Sequence, residues 1–370
     1  MYLIKDIVSV LENLAPPVYS ESYDNTGLLC GNSDWKCNGA IIALDCIETV
    51  IDEAISLGCN LVIAHHPTVF SGLKKITGNN YVERTIIKAI KNDIAIYAIH
   101  TNLDNVYHGV NLKICEKLGL KNTRILQPKR GALSKLVTFC PKDKSAQVLD
   151  ALFAAGAGEI GNYSECSFNL DGTGTFKGNE QADPYVGEKG KRHHEHETRI
   201  EVIFESVKQS SVMSALHNSH PYEEVAYYLT KLENEFQSVG SGMMGEFEKP
   251  LSEDQLLKLL YTSFSLKVIR HTALTGAEIR QIAVCGGSGS FLLKNALNAG
   301  AQAFITADFK YHQFFDAEEK ILIADIGHYE SEQFTGELIA NELRKNLPTF
   351  ALHLTKQHTN PVHYYYQYGH

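Results

Sequence analysis

The 370-residue sequence lacks the features that would direct it to nucleic acid or to a membrane. Its 34 lysines and arginines are outnumbered by 43 aspartates and glutamates, and the net charge of −9 gives no basic field for a general nucleic-acid or anionic-membrane binder. No stretch approaches the ~20 apolar residues of a membrane span, and the N-terminus has neither the apolar core nor the cleavage site of a signal peptide. A local basic pocket for a phosphorylated small molecule remains compatible with this composition.

Paired cysteine motifs are absent as well. The eight cysteines are scattered at positions 30, 37, 46, 59, 115, 140, 166 and 285, and no two form a C-x-x-C motif. This spacing indicates reduced, mostly packed thiols rather than a disulfide framework or a zinc ribbon. We therefore expect a cytoplasmic protein.

The first part of the chain alternates short apolar strands with amphipathic helices. Near-continuous apolar strands of this kind are typical of a parallel sheet covered by helices on both faces. The predicted strands are Gly39–Leu44, Leu61–Ala64 and Ile94–Ile99, and the predicted helices are Glu48–Leu57, Tyr81–Lys91 and Val110–Leu118.

The last third repeats this scheme. The stretches IIALDCIETVIDEAISLGCNLVIAHH and IAVCGGSGSFLLKNALNAGAQAFITAD share nearly the same spacing of strand, helix, glycine and second strand, which indicates an internal duplication into two α/β halves. The alternative is that any two strand–helix–strand units look alike. The predicted strands here are Ile282–Cys285, Ala303–Thr306 and Ile321–Ile326, and the predicted helices are Ser290–Ala299 and Glu332–Lys345.

Residues 124–240 differ in character and predict an inserted domain. Two strand–helix–strand units, with strands at Leu133–Phe139 and Thr198–Phe204, indicate a small ferredoxin-like α+β fold. The polar, glycine-rich stretch Gly156–Lys191 buries little apolar surface, so we expect a flexible loop or ribbon there. The insert would leave a discontinuous main domain of residues 1–123 and 241–370.

Three of the predicted strands end in histidines and carboxylates. One runs into His65 and His66, one into a loop that carries His100 and Asp104, and one into the segment from His328 to Glu332. Ligands of open parallel sheets collect beyond the carboxyl ends of the strands, and imidazole and carboxylate groups are common metal ligands. The sequence therefore predicts a metal site formed by His65, His66, Asp104, His328 and Glu332.

Each of these motifs taken alone has a simpler interpretation. His-His-Pro could be a capped turn, the i,i+4 pair of His328 and Glu332 a surface hydrogen bond, and Asp104 a helix cap. Together they favour a metal site, and five ligands exceed what one tetrahedral zinc requires. Two ions sharing a carboxylate would use all five and would support hydrolysis. His100 and Tyr329 could then move protons or orient substrate, or His100 could only support a ligand.

Four other motifs have more than one interpretation. The loop Cys285–Ser290 could hold a phosphate or be a plain tight turn. The stretch Thr306–His312 is expected to border the same cleft, with a role towards substrate or ligands. The His193–Glu197 run is better explained as a solvated charged segment than as a metal tract. His220–Glu224 could contact a ligand or another subunit, although a turn explains it adequately.

The motifs IIALD, LVIAHHP, HTNLD, CGGSGS, TADFKYH and GHYESE resemble those of the Nif-three-like family, known as GTP cyclohydrolase 1 type 2 homologues. YDNTG at Tyr23–Gly27 is similar to the W-D-N-x-G signature of the family, with tyrosine in place of tryptophan. The resemblance covers residues 1–123 and 241–370. The segment between resembles the PII-like or CutA-like insert of the longer bacterial members, through IGNYSECSF, GTGTF and HPYEE.

This resemblance implies a dinuclear metal centre held by His65, His66, Asp104, His328 and Glu332. It also implies a toroidal homohexamer whose metal sites face the interior, with the inserted modules near the openings. The family name implies a ring-opening hydrolysis of GTP, whereas the residues themselves indicate only a two-metal hydrolase. The ions could be Zn, Fe, Mn or Ni, since mixed histidine and carboxylate sites accept all of them.

We therefore expect a metal-dependent hydrolase of a nucleotide or a phosphorylated small molecule. The alternative is a non-catalytic regulatory or metal-handling protein whose inserted domain senses a ligand. A protein–protein adaptor is a third and weaker possibility.

Overall fold

The computed structural model describes residues 2–365, and residues 1 and 366–370 of the predicted main domain lie outside this range. The chain forms two compact units, one made of Met1–Pro128 and Gln237–His370 and the other of Lys129–Phe236. Residues 124–128 and 237–240, which the sequence analysis placed in the insert, lie in strands that belong to the first unit. No helix of the described residues has the length and apolar character to cross a membrane.

The first segment of the first unit, up to residue 129, alternates strands and helices, as predicted. Its helices are α1 (Ile4–Leu14), α2 (Glu48–Leu57), α3 (Tyr81–Lys91), α4 (Thr101–Asp104) and α5 (Val110–Leu118), and its strands are β1 (Gly27–Cys30), β2 (Ala40–Asp45), β3 (Leu61–His66), β4 (Ala95–Ala98) and β5 (Lys121–Lys129). Helices α2 and α5 each end at a glycine with positive φ, Gly58 and Gly119, as expected for a left-handed C-terminal residue.

The second unit has the element order strand, helix, strand, strand, helix, strand. Its elements are β6 (Leu133–Pro141), α6 (Ser145–Ala154), β7 (Ser167–Phe176), β8 (His193–Glu205), α7 (Gln209–Ser219) and β9 (Tyr227–Leu232). All neighbouring strands pair antiparallel, in the sheet order β7-β8-β6-β9. The apolar core includes Leu136 and Ile200 of the sheet and Val148 and Leu216 of the two helices. The predicted loop or ribbon at Gly156–Lys191 contains strand β7, whose side chains are mostly exposed.

The last segment of the chain completes the first unit. Its strands are β10 (Phe236–Ser252), β11 (Arg270–His271), β12 (Glu278–Ser288), β13 (Ala303–Ala307), β14 (Leu322–Asp325) and β15 (Leu352–Leu354), and its helices are α8 (Glu253–Ser263), α9 (Leu293–Asn298), α10 (His328–Glu332) and α11 (Thr335–Asn346). The helix predicted over Glu332–Lys345 is therefore two helices. They are separated at Gln333 and Phe334, and the first of them already begins at His328.

Two mixed sheets organise the first unit. The first has the order β1-β4-β3-β2-β15, and the second has the order β11-β14-β13-β12-β10-β5. In each sheet three central strands are parallel, namely β2, β3 and β4 in the first and β12, β13 and β14 in the second. Short antiparallel strands flank β4 and β14. The α/β class is thus confirmed, and the antiparallel edge strands are an addition that apolar periodicity did not indicate.

Candidate metal centre

The carboxyl ends of parallel strands from both sheets bring the five predicted ligands together. Strand β3 ends with His65 and His66, and β4 leads directly into the short helix α4, whose last residue is Asp104. In the second sheet β14 leads into α10, which begins at His328 and ends at Glu332. The four-residue spacing places His328 and Glu332 on one face of this helix.

Glu332 lies at the centre of the cluster and contacts histidines from both sheets. Its Oε2 lies 2.9 Å from His66 Nε2 and 3.2 Å from His328 Nε2, and its Oε1 lies 3.9 Å from His65 Nε2. One ligand atom from each of His65, His66 and Glu332 lies within 4.8 Å of the others. The remaining two residues adjoin this group: Asp104 Oδ1 is 3.6 Å from His65 Nε2, and the Nε2 atoms of His328 and His66 are 3.2 Å apart.

Two buried polar atoms of the cluster have no hydrogen-bond partner among residues 2–365. They are His65 Nε2 and Asp104 Oδ1, and the His65 side chain is completely buried. His65 Nδ1 donates to the carbonyl oxygen of Ile99 at 2.8 Å, so the Nε2 lone pair is available. Unpartnered buried polar atoms are rare because each costs about 1–3 kcal/mol. A cation bound between these two atoms would satisfy both, so the donor set fits a metal ion. Their role as ligands stays a prediction.

Carboxylates orient the other histidines. The Nδ1 atoms of His66 and His328 donate to Asp45 Oδ1 and Asp308 Oδ2, each at 2.7 Å. With Nδ1 engaged in this way, Nε2 of each ring is directed to the cluster, which is the usual arrangement behind metal-binding histidines. Asp308 lies in the stretch that the sequence analysis assigned to substrate or ligand support. Asp45 was missed, although its position at the end of an apolar strand was a usable signal.

His100 is held in a similar way and lies beside the cluster. Its Nδ1 donates to Asp24 Oδ1 at 2.8 Å, and its ring centroid lies 5.3 Å from that of His65. Asp24 also accepts hydrogen bonds from the hydroxyl and amide groups of Thr101. Burial favours the neutral form of Asp24, but these hydrogen bonds outweigh it and lower the pKa to about 2. Asp24 belongs to the YDNTG motif, in which the sequence analysis had placed no ligand.

The two carboxylates of the cluster have opposite pKa shifts. Burial raises the pKa of Asp104 well above its ordinary value, and the negative charge of Glu332 raises it further. Burial acts in the same direction on Glu332, but the hydrogen bonds from His328 and His66 and the positive charge of His328 outweigh it and hold that pKa well below its ordinary value. Without a cation the site therefore disfavours the ionised form of Asp104 beside Glu332, as expected for like charges in one buried space.

The two histidines that contact Glu332 most closely carry protons in this arrangement. Burial disfavours their charged forms, but hydrogen bonds to Asp45 and Glu332 raise the pKa of His66 to about 9, and those to Asp308 and Glu332 raise that of His328 to about 11. A metal ion would have to displace these protons on binding.

The glycine-rich end of β12 makes room for Glu332. Gly287 has a φ of +60°, and a Cβ atom there would lie 2.3 Å from Glu332 Oε1. Its amide donates to Ser331 Oγ, and the amide of Gly286 donates to Asn111 Oδ1, each at 2.9 Å. These two amides are therefore engaged within the protein, and the hydrogen bond to Ser331 ties this turn to α10.

Tyr329 follows His328 on α10. Its ring packs against His358 with centroids 5.0 Å apart, and burial raises the pKa of its hydroxyl. It lines a cavity of about 390 Å³ together with His66, His328 and Asp308. This cavity gives a small molecule direct access to two of the predicted ligands.

The other histidine-containing motifs are not part of this cluster. His193 pairs with Glu195 on strand β8 at 2.8 Å, and His220 Nε2 donates to the Phe139 carbonyl oxygen at 2.9 Å. Both lie in the second unit. Of the Thr306–His312 stretch, only Asp308 contacts a predicted ligand directly, while Thr306 donates to the Gly287 carbonyl oxygen and so supports the glycine-rich end of β12.

Comparison with known proteins points to one family. The profile of Duf34/NIF3 (NGG1p interacting factor 3) matches residues 2–361. A protein of Halalkalibacterium halodurans named GTP cyclohydrolase 1 type 2 homolog is 39% identical over 324 residues, which is 87% of each chain. The protein of the same name from Bacillus subtilis is 35% identical and aligns over 92% of this chain and 91% of its own.

Solved structures agree with the sequence comparisons. The crystal structure of a Bacillus cereus protein related to NIF3 superposes with a TM-score of 0.86 at 35% identity, covering 98% of this chain and 99% of that one. The Staphylococcus aureus protein SA1388 gives a TM-score of 0.79 at 28% identity, with the same coverage. The similarity therefore extends over both units.

Proposed function

The chain belongs to the Duf34/NIF3 family, and from this premise we propose that it is a metal-dependent hydrolase with a dinuclear centre. His65, His66, Asp104, His328 and Glu332 would hold two divalent ions, with Zn, Fe, Mn and Ni as the candidates. The substrate would be a nucleotide or a phosphorylated small molecule that enters through the cavity beside His328 and Tyr329.

One observation carries this proposal. His65 Nε2 and Asp104 Oδ1 are buried, form no hydrogen bond with any residue from 2 to 365 and lie 3.6 Å apart, and one ligand atom each of His65, His66 and Glu332 lies within 4.8 Å of the others. A purely structural cluster would have paired these atoms with each other or with neighbours. When bound, two ions would supply a nucleophilic hydroxide near neutral pH and would neutralise charge on the substrate.

The protein's own residues would position substrate and protons around that centre. His100 is oriented by Asp24, and its other ring nitrogen, which forms no hydrogen bond within the described part of the chain, would accept a proton. Tyr329 keeps its hydroxyl proton because its pKa is raised, so it can donate a hydrogen bond to a substrate in the cavity. We assign His100 and Tyr329 the catalytic roles on this basis.

The relatives named GTP cyclohydrolase 1 type 2 homolog make GTP one candidate substrate. The test is a screen of the full chain, reconstituted separately with each metal, against GTP, other nucleotides and phosphoesters. We expect turnover of at least one compound, its loss in Asp104→Asn without loss of folding, and a reduced rate in His100→Gln. The exposed Asp52→Asn is the matched control. Absence of turnover in protein shown to hold metal would refute the hydrolase.

The second candidate is a regulatory or metal-handling protein whose second unit senses a ligand. The observation that favours it is a cavity of about 740 Å³ whose lining residues all belong to that unit. The order of its elements and its fully antiparallel sheet support a ferredoxin-like, PII- or CutA-like module. On the basis of the family, we also propose that the chain forms a homohexamer in the cytoplasm. Sedimentation of the purified chain tests that assembly state.

A further inference from the structure

The cavity in the second unit is built by two motifs to which the metal centre gives no role. Its floor is the face of the sheet opposite to α6 and α7, where Gly172 of β7 pairs with Glu197 of β8. Gly172 and Gly174 belong to the GTGTF motif region, and a Cβ atom at Gly172 would meet nothing within 4 Å. One wall is the segment that follows β7, and another is the HPYEE segment at residues 220–224.

Aromatic rings form much of the lining. Phe139 and Tyr228 contact each other edge to face with centroids 5.7 Å apart. The ring centroid of Tyr222 lies 6.3 Å from that of Phe176 and 6.2 Å from that of Tyr185. The volume falls in the range of about 300–1,000 Å³ that is typical of small-molecule sites, and such sites commonly combine aromatic walls with a few polar groups.

The polar groups of the lining carry an excess of negative charge. Arg199 is already paired with Glu201, at 2.7 Å, and its guanidinium lies over the Phe139 ring. Glu197 accepts a hydrogen bond from the Tyr222 hydroxyl at 2.9 Å, and within residues 2–365 it forms no ion pair. Three further carboxylates and one amine also line the cavity, those of Asp171, Glu223, Glu224 and Lys177, and Asp171 is paired with Lys142 at 2.6 Å.

The glycine at position 174 keeps Glu197 in place. A Cβ atom at Gly174 would lie 1.9 Å from Glu197 Oε2, so only glycine leaves room for this carboxylate between the strand and Tyr222. Aromatic faces and an uncompensated carboxylate attract the same class of ligand, because the negative face of a ring and a negative group both stabilise a nearby cation.

We propose that this cavity binds a small organic cation with a flat aromatic ring. The ring would stack among Phe176, Tyr185 and Tyr222, and the cationic nitrogen would pair with Glu197. The inference goes beyond the proposed hydrolase and stands on the second unit alone. Stripping the metal with a chelator should therefore leave this binding unchanged.

Two fluorescent acridines of opposite charge test the inference on the full chain. We expect 9-aminoacridine, a cation at pH 7, to bind at least about tenfold more tightly than acridine-9-carboxylate, an anion with the same rings. The variant Glu197→Gln should reduce this preference about tenfold. Gly172→Leu, in extended backbone, should fill the cavity and weaken 9-aminoacridine binding at least about tenfold.

The control is Asn169→Leu, because Asn169 lies on the same strand, is exposed and does not line the cavity. It should bind 9-aminoacridine like the wild type, and circular dichroism should show that all three variants are folded. Equal binding of both acridines, or unchanged binding by Gly172→Leu, would overturn the proposal. The proposal would also be overturned if Gly172→Leu changed the assembly state while binding 9-aminoacridine as the wild type does. That result would mean that a second copy of the chain covers this face.

Discussion

The two sheets of the first unit share a group of three parallel strands with an antiparallel edge strand but contribute differently to the candidate metal centre. In each, three parallel strands have a short antiparallel strand at one edge, and the third parallel strand leads into a helix of four or five residues. The first sheet places two histidines at the end of its middle strand, β3. The second sheet has Ala307 at the end of the corresponding strand, β13, with Asp308 next.

This difference shows how a repeated scaffold can produce an asymmetric site. His66 of the first sheet and His328 of the second both contact Glu332 Oε2, so the carboxylate joins the two sheets. Each sheet also supplies an aspartate that orients its own histidine, Asp45 in the first and Asp308 in the second. Ligands and orienting residues are thus distributed over both sheets, and neither sheet holds the site alone.

Removal of the shared carboxylate should have the largest effect. In Glu332→Gln the partly buried His66 and His328 lose the carboxylate that they share but keep Asp45 and Asp308, so we expect the metal-free protein to lose about 1–3 kcal/mol in free energy of unfolding. Elemental analysis should also find fewer than two ions per chain. Glu337→Gln is the control, because its partners, Lys113 and Lys117, lie 3.6–3.8 Å away at the surface. Equal stability and metal content of the two variants would contradict the central position of Glu332.

The glycine-rich end of β12 has no counterpart at the end of β2, where Asp45 stands. Gly287→Ala places a Cβ atom against Glu332, so we expect loss of bound metal as measured by elemental analysis. Gly276→Ala is the matched control, since Gly276 also has positive φ but open space around it. Both should lose about 1–2 kcal/mol of stability from the left-handed backbone. Retention of metal by Gly287→Ala would show that Glu332 can move away without consequence.

The orienting aspartates allow the two sheets to be compared directly. We expect Asp45→Asn and Asp308→Asn each to weaken metal binding by about 10- to 100-fold, as measured by competition with a chelating dye. The effect should be larger for Asp45, whose side chain is 30% exposed against 50% for Asp308. The surface variant Asp52→Asn should bind metal normally. A larger loss of metal affinity in Asp308→Asn than in Asp45→Asn would contradict this prediction.

The smallest expected effect concerns the connection after β3, which is longer than its counterpart after β13. Glu83 of α3 accepts hydrogen bonds from Thr77 and Asn79 in this connection, and these lower its pKa to about 2. A lowered folded-state pKa means that the stabilisation is present above the ordinary value of about 4.5 and is lost as the pH falls towards 2.

The melting temperature of the wild type should therefore fall more steeply than that of Glu83→Gln between about pH 5 and pH 3. This is the range in which an ordinary carboxyl group titrates. Glu248→Gln, at an exposed position of β10, should keep the steep wild-type profile. Parallel profiles for wild type and Glu83→Gln would show that this carboxylate contributes no pH dependence.

Much of the fold could be predicted because the buried strands are nearly continuous apolar runs. Strands β2, β3 and β13 are wholly or almost wholly buried, and strong apolar runs of this kind are what sequence periodicity detects. The edge strands could not be predicted, since β1 is short and only partly buried, β11 is short and exposed, and both owe their conformation to pairing with β4 and β14. Pairing depends on tertiary contacts that local sequence does not encode.

The sequence predicted the candidate ligands of the site but not two of the aspartates that orient its histidines. Histidines and acids at strand ends are conspicuous against an apolar background, which is why His65, His66 and Asp104 could be proposed. Asp24 and Asp45 act on the site through the hydrogen bonds that they accept from His100 and His66, and these partners are distant in sequence. The break between α10 and α11 was missed because the helical pattern continues across it.

Crystals of the reconstituted full chain would test the central claim most directly, by anomalous scattering at the absorption edge of bound Zn²⁺. Two peaks about 3.5–4 Å apart are predicted between β3, α4 and α10, each within about 2.0–2.2 Å of histidine Nε2 or carboxylate oxygen atoms. Absence of any peak among His65, His66, Asp104, His328 and Glu332, with the five side chains paired only to one another, would contradict the account.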